Sequence, residues 1–189
     1  SLQLFTYLDV VVENSSILLG EQADPAGVLY VHVHNPILKV DEMKSDTEIE
    51  LERLKQYRMK GLLTENSDLI IGMDEEIENG GTSIVIPASI LKKDKSISTS
   101  KSRVIKPEDM NDLSKFVRRK HKLAGDKIIS GETSILPYRL KGKTACTFCQ
   151  FKSICQFDAT EQQYLQLQAD KTDNIIEKIR EELKEDETI

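Results

Sequence analysis

The sequence lacks the features that mark secreted and membrane proteins. No apolar run approaches the roughly 20 residues that a membrane-spanning helix needs, which excludes membrane insertion. The three cysteines are an odd number, which argues against a secreted disulfide framework and favours a reducing, cytoplasmic location. The chain also has no initiator Met and no basic-then-apolar leader. We therefore expect a fragment of a longer cytoplasmic protein.

An overall excess of acidic residues conceals an uneven distribution of charge. The 189 residues include 26 Lys and Arg and 32 Asp and Glu, which gives a net charge of −6. Segments 1–40, 41–78 and 158–189 are acidic, whereas segment 91–152 carries 16 basic and 6 acidic residues. A stretch at +10 in an acidic chain is an asymmetry that attracts phosphates. A solvated face, or a patch that the acidic helices neutralise after folding, explains the charge equally well.

Hydrophobic periodicity predicts a helix followed by a strand in the first part of the chain. Apolar residues three and four apart predict a helix from Leu2 to Val12 with one buried stripe. Gln3 and Tyr7, four residues apart, then share a neighbouring face of this helix. The β-branched and aromatic segment between Pro25 and Pro36 predicts a strand of a central sheet.

Capping and turn residues predict the next elements. Ser45 and Glu48 form a capping-box pattern that begins a helix, and Gly61 fits the position just after its end. Segment 83–87, SIVIP, predicts a strand, and segment 90–105 predicts two short strands around a polar turn. The first half of the chain is thus expected to alternate between helices and strands.

A further helix is predicted to begin at Pro107 and to end near Gly125. Its inward-facing residues are Met110, Leu113, Phe116 and Val117. Its last turns carry a run of basic residues, namely Arg118, Arg119, Lys120 and Lys122. Cations at a helix C-terminus stabilise the helix dipole, and the same cations can contact DNA phosphates, so both interpretations stay open. The acidic segment 158–189 predicts one or two peripheral helices.

The three cysteines form the sharpest local motif. Cys146 and Cys149 make a CxxC pair, and Cys155 follows six residues later. This spacing lets the sulfurs converge on one centre, and soft thiolates select zinc or an iron–sulfur cluster. Either group normally takes four protein ligands, so the fourth must come from a histidine, a partner chain or upstream sequence. Buried thiols or a local disulfide are the structural alternative. The histidines kept outside this predicted site are His32, His34 and His121.

Four segments of the chain together resemble a known family. They are, in order, LQLFTYLD, PAGVLYVHVHNP, YRMKGLL and KTACTFCQFKSICQFD. They resemble the C-terminal nuclease region of the AddB proteins of bacterial AddAB ATP-dependent helicase/nucleases. The resemblance implies an α/β fold, a RecB-like nuclease of the PD-(D/E)XK class with a mixed sheet flanked by helices. It also implies that residues 1–157 are the C-terminal part of this domain and that 158–189 form an acidic helical tail.

The resemblance implies roles for the residues singled out above. Gln3 and Tyr7 match the family's QxxxY motif, which supports a Mg²⁺ site whose carboxylates and lysine lie before residue 1. Cys146, Cys149 and Cys155 match three ligands of a 4Fe–4S cluster whose fourth cysteine lies upstream. The basic run that ends in Lys122 is expected to contribute to a DNA-facing surface.

The function implied by the resemblance is ATP-dependent exonucleolytic resection of double-stranded DNA ends, on the 5′-ending strand, for break repair and recombination. The implied partners are the AddA subunit, in a heterodimer, and double-stranded and single-stranded DNA. Because the carboxylates and the lysine that phosphodiester hydrolysis needs are missing, the chain alone is expected to be inactive. The alternative is a non-enzymatic, zinc-stapled module that binds nucleic acid or protein.

Overall fold

The computed structural model describes residues 2–31, 33, 37–38, 44–170 and 172–186. The helices are α1 (Leu2–Glu13), α2 (Ser15–Leu18), α3 (Asp46–Gln56), α4 (Ser67–Met73), α5 (Pro107–Ile129), α6 (Lys152–Cys155) and α7 (Thr172–Asp186). The strands are β1 (Gly27–Tyr30), β2 (Lys60–Thr64), β3 (Gly81–Thr82), β4 (Ser89–Ile90), β5 (Val104–Ile105), β6 (Tyr138–Leu140), β7 (Lys143–Thr144) and β8 (Leu165–Leu167). No helix in the described part of the chain combines the length and the apolar character that crossing a membrane requires.

The chain forms two compact units, residues 1–117 and residues 118–189. The boundary between them falls within α5, which therefore contributes to both. This division follows packing alone and does not test the domain boundary predicted at residue 157 from the family resemblance. That boundary stays a prediction.

A three-stranded mixed sheet organises the first unit. Its order is β1-β2-β5, with β2 antiparallel to β1 and parallel to β5. The register places Gly27 opposite Leu63 and Tyr30 opposite Lys60. A mixed sheet with flanking helices is the predicted α/β architecture, which is confirmed.

The core of the first unit lies between this sheet, α4 and the segment that leads into β4. The buried core residues are Leu63, Ile70, Ile77, Ile86, Ala88 and Ile90. Each large aliphatic side chain buried in this way contributes roughly 1.5–3 kcal/mol. The core therefore fixes β2 against α4 and holds the loops on either side of it.

The predicted capping box begins α3 as expected. The Ser45 Oγ accepts a hydrogen bond from the Glu48 backbone N–H at 3.4 Å, and the Glu48 carboxylate accepts one from the Ser45 N–H at 2.9 Å. The predicted role of Gly61 as the residue after the helix is wrong. Gly61 lies within β2 opposite Leu29, and a Cβ there would stand 1.9 Å from the Val28 carbonyl oxygen. Its missing side chain lets β1 and β2 pair closely.

Helix α1 confirms the helix predicted at the start of the chain. Its apolar stripe is less buried than predicted, because no residue of α1 is fully buried. Leu4, Phe5 and Leu8 are half-buried, and Val11 is exposed.

Two strand predictions differ from the structure. Segment 83–87 forms a turn between β3 and β4, because the Ser83 Oγ accepts hydrogen bonds from the backbone N–H groups of Val85 and Ile86 at 3.0 and 2.9 Å. The apolar pattern there reports burial in the core and not a strand. The strand predicted between Pro25 and Pro36 is present as the short β1, and His32, His34 and Pro36 lie outside the described residues.

The second unit contains another three-stranded mixed sheet. Its order is β7-β6-β8, with β6 antiparallel to β7 and parallel to β8. The sequence did not predict β8. The acidic segment after it forms a single described helix, α7, which buries Ile176 and Ile179. Helix α5 continues past Gly125 to Ile129, so Gly125 does not end it. Of its four predicted inward positions, Met110, Leu113 and Val117 are buried, and Phe116 is half-buried.

Candidate functional site

The Gln3–Tyr7 pair on α1 has the geometry that its spacing predicted. The Gln3 Nε2 donates a hydrogen bond to the Tyr7 hydroxyl oxygen at 2.8 Å. Tyr7 is 58% exposed, so the pair faces outward and a ligand can reach it. Because the Tyr7 oxygen accepts from Gln3, its own O–H is left to donate to a phosphate or to a catalytic side chain. The catalytic role of the pair stays a prediction.

The basic run at the end of α5 is partly neutralised within the second unit. The Arg119 Nη1 and the Lys120 Nζ lie 2.8 and 2.6 Å from the same carboxylate oxygen of Glu182 on α7. Arg118 and Lys122 are exposed. Neutralisation by an acidic helix, one of the interpretations drawn from the charge pattern, therefore applies to Arg119 and Lys120. Contact of this run with DNA stays a prediction.

The cysteines lie on a hairpin, a loop and a short helix of the second unit. The Cys146 N–H donates to the Thr144 Oγ1 at 2.8 Å at the end of β7, and Cys149 follows in a turn. Cys155 ends α6, and the next residue, Gln156, has a left-handed backbone with φ of 50°. All three cysteines are free thiols and half-buried. The local disulfide considered from the sequence is therefore not formed.

The three cysteines have the donor type of a thiolate-bound metal site, but the structure does not bring them together on one centre as their spacing predicted. Within the described residues no three His, Cys, Asp or Glu side chains are gathered closely enough to hold a metal ion. Three thiols are the soft donors that zinc and iron–sulfur clusters take, and both groups normally use four ligands. Of the three histidines, only His121 is described, and it lies on α5. The donor set of this chain is thus one ligand short.

Exposed apolar side chains surround the cysteines. Phe148 is 93% exposed, and Phe151 and Ile154 are also largely exposed. Just before β8 the ring of Tyr164 packs edge-on against Phe157, which follows α6, and the guanidinium of Arg139 on β6 lies 3.9 Å from the centre of the Tyr164 ring. These contacts join the segment after α6 to β6, whereas the side chains of Phe148, Phe151 and Ile154 are exposed.

An open basic cavity of about 660 Å³, which the sequence did not predict, lies in the first unit at the junction of α3 and β2. We call it the basic pocket, and its charged and aromatic lining consists of Tyr30, Lys55, Arg58, Lys60 and Arg103. Lys55 donates to Glu52 at 3.0 Å, and this hydrogen bond lowers the pKa of the Glu52 carboxyl below its usual range. The sequence signal for the pocket was the basic YRMK segment inside the most acidic part of the chain.

Comparison with known proteins identifies the family. The model of the PD-(D/E)XK nuclease superfamily matches residues 1–156. The chain belongs to the PD-(D/E)XK nuclease superfamily. The region matched to this superfamily includes Gln3, Tyr7 and all three cysteines.

Three relatives are each named as the B component of an ATP-dependent helicase/deoxyribonuclease. The protein of Lysinibacillus sphaericus is 54% identical over 97% of this chain. Those of Listeria welshimeri and Bacillus cereus are each 41% identical, over 95% and 97% of this chain. In each case the chain spans about 16% of the relative's length. The similarity therefore relates this PD-(D/E)XK chain to one region of a much longer subunit.

Proposed function

We propose that this chain is the C-terminal part of the nuclease domain of an AddB-type subunit of an ATP-dependent helicase/exonuclease. In this proposal the whole subunit works in the bacterial cytoplasm with AddA and resects double-stranded DNA ends, on the 5′-ending strand, for break repair and recombination. The observation that carries the proposal is the 54% identity over 97% of the chain to the helicase/deoxyribonuclease component of Lysinibacillus sphaericus. The PD-(D/E)XK match to residues 1–156 supports the nuclease part of it.

The chain's own contribution to nuclease chemistry is the Gln3–Tyr7 pair. The 2.8 Å hydrogen bond fixes the phenol, and the outward face of α1 presents it to a ligand. The carboxylates and the lysine of the hydrolytic step are proposed to lie upstream in the longer subunit. The chain alone is proposed to be inactive as a nuclease.

The cysteines are proposed to hold three corners of a 4Fe–4S cluster. Cys146, Cys149 and Cys155 are free, half-buried thiols, and the fourth ligand is proposed to lie upstream in the longer subunit. When bound, such a cluster supplies a cross-link between distant segments of chain. This role needs no redox change at the cluster.

The catalytic role of the pair is tested in the longer subunit assembled with its AddA partner. Tyr7→Phe removes only the hydroxyl group, and we expect nucleotide release from the 5′-ending strand to slow by about 10- to 100-fold, as for one hydrogen bond to a charged group. ATP hydrolysis should be unchanged, because the pair is assigned to the nuclease alone. Tyr138→Phe, at an exposed tyrosine outside α1, is the matched control. Full nuclease activity in Tyr7→Phe would contradict the assignment.

Metal content tests the cluster. In the longer subunit, prepared without oxygen, we expect iron and acid-labile sulfide in nearly equal amounts, and their loss in Cys146→Ser. Ser153→Ala, on α6 between the cysteines, should keep both. Zinc without sulfide would instead support the zinc-stapled binding module.

A further inference from the structure

The basic pocket is built from segments that are distant in sequence. The end of α3 supplies Lys55, the next residues supply Arg58 and Lys60, and pairing of β1 with β2 adds Tyr30. Arg103, just before β5, completes its charged lining. No Asp or Glu of the described residues lines the pocket. A cavity of about 660 Å³ is within the range that holds one small organic ligand.

Arg58 is held in place without a carboxylate partner. Its Nε donates a hydrogen bond to the Ile86 carbonyl oxygen at 2.9 Å, which fixes the guanidinium against the core. Its Nη2 is buried and has no hydrogen-bond partner among the described residues. A guanidinium that is positioned but not neutralised is a strong hydrogen-bond donor to the oxygens of a phosphate or a carboxylate.

Tyr30 and Lys60 stand side by side at the edge of the pocket. They are directly opposite each other in the antiparallel β1–β2 pair, so their side chains lie on the same face of the sheet. Tyr30 is 46% exposed and Lys60 is exposed. An aromatic ring next to an ammonium group is the arrangement that stacks a nucleobase and pairs its phosphate.

The lining of the basic pocket is positively charged, although most of its residues come from an acidic segment of the sequence. Segment 41–78 has 12 acidic and 5 basic residues, and three of those five basic residues line the pocket. Lys55 is paired with Glu52 at 3.0 Å, whereas Lys60 and Arg103 make no ion pair within the described residues. The field in the pocket is therefore positive within an acidic region.

We propose that the basic pocket binds one phosphate of single-stranded DNA, with the adjoining base stacked on Tyr30. Arg58 and Lys60 contact the phosphate oxygens, and Arg103 adds to the positive field. The proposal rests on the proposed function for the identity of the strand as DNA. It assigns a binding site to residues outside the Gln3–Tyr7 pair and outside the cysteine cluster.

The test measures binding of a fluorescent oligothymidylate to the 189-residue chain by anisotropy over a range of salt concentrations. Lys60→Gln removes an exposed charge, and we expect about 10- to 100-fold weaker binding, with a salt dependence shallower by about 0.7 in slope. Arg58→Gln should weaken binding at least as much, and Tyr30→Leu about 10-fold. Lys93→Gln, an equal charge change at an exposed residue outside the pocket, is the matched control. Thermal unfolding identifies any variant that fails to fold.

Three other results would overturn the proposal. Equal weakening by Lys60→Gln and Lys93→Gln would show general charge attraction and no site. Inorganic phosphate or thymidine monophosphate could displace the fluorescent probe as effectively as unlabelled oligonucleotide at the same phosphate concentration. That result would identify a free phosphate as the ligand. If this chain does not bind the oligonucleotide while the longer subunit cleaves DNA, the pocket proposal fails and the nuclease proposal stands. Binding at the pocket without any cleavage by the longer subunit would instead support the pocket proposal and contradict the nuclease proposal.

Discussion

Glu182 on α7 is expected to hold the basic end of α5, and its loss should weaken the second unit. One of its carboxylate oxygens lies 2.8 Å from the Arg119 Nη1 and 2.6 Å from the Lys120 Nζ. The Arg119 side chain is only 18% exposed, and Glu182 is 33% exposed. Glu182→Gln removes the negative charge that the two cations share and keeps the size of the side chain.

The size of the effect follows from these contacts. A hydrogen bond to a charged group contributes about 1.5–3 kcal/mol when it is buried. The partial exposure of Glu182 reduces this value, and the bond from Arg119 to the Glu182 backbone oxygen, 2.7 Å long, remains in the variant. We therefore expect a loss of about 1–2 kcal/mol. In a chain of this length that corresponds to a melting temperature lower by about 2–8 °C.

Thermal unfolding followed by circular dichroism measures this loss. Glu181→Gln, an equal charge change at the neighbouring exposed residue, is the matched control and should leave the melting temperature nearly unchanged. The difference between the variants should shrink at high salt, because partly exposed charges are screened. Equal melting temperatures at low salt would refute the reasoning. Tighter binding of DNA by Glu182→Gln would also support the predicted DNA contact of Arg119 and Lys120.

Four further substitutions test the first unit. Gly61→Ala should lower the urea midpoint by the equivalent of more than about 3 kcal/mol, because its Cβ would stand 1.9 Å from a carbonyl oxygen of β1. Gly72→Ala, in α4 with open space around it, should instead raise the midpoint. Ile70→Ala, at a core position with 0% exposure, should cost about 2–5 kcal/mol in the same assay. Hydrogen bonds from Ser45 lower the pKa of Glu48 below its usual 4.5, so its stabilising effect is present at neutral pH and is lost as the pH falls through the lowered value. The unfolding free energy of Glu48→Gln should accordingly depend less on pH below about 4.5 than that of the unchanged chain.

Local patterns predicted the helices well because the interactions that form them are local. The capping box of Ser45 and Glu48 and the inward positions of α5 depend on residues three and four apart, and both are confirmed. The segment at Ser83 was predicted as a strand but forms a turn. It does so because the Ser83 hydroxyl accepts hydrogen bonds from backbone N–H groups that a strand would use. Gly61 was assigned to a helix end because its true neighbour, Val28, is distant in sequence.

The Gln3–Tyr7 pair and the basic pocket likewise differ in whether local sequence patterns predict them. The contact between Gln3 and Tyr7 follows from one turn of helix, and the sequence predicted it. The basic pocket depends on the register that places Tyr30 opposite Lys60 and on the loop that brings Arg103, and neither has a local signal. Spacing alone therefore predicts a pair on a helix but not a cavity between strands.

Charge counted along the sequence and charge counted in space give different expectations for phosphate binding. The basic segment 91–152 contains Arg119, whose charge is shared with Glu182 in the folded chain. Lys60 comes from the acidic segment 41–78, yet it lines a pocket in which no described residue supplies a carboxylate. A bound phosphate responds to the field at its own position, because solvent and salt screen charges farther away than about 10 Å. Neutralising Lys60 should therefore cost more affinity for single-stranded DNA than neutralising Arg119, although the sequence places Arg119 in the more basic segment.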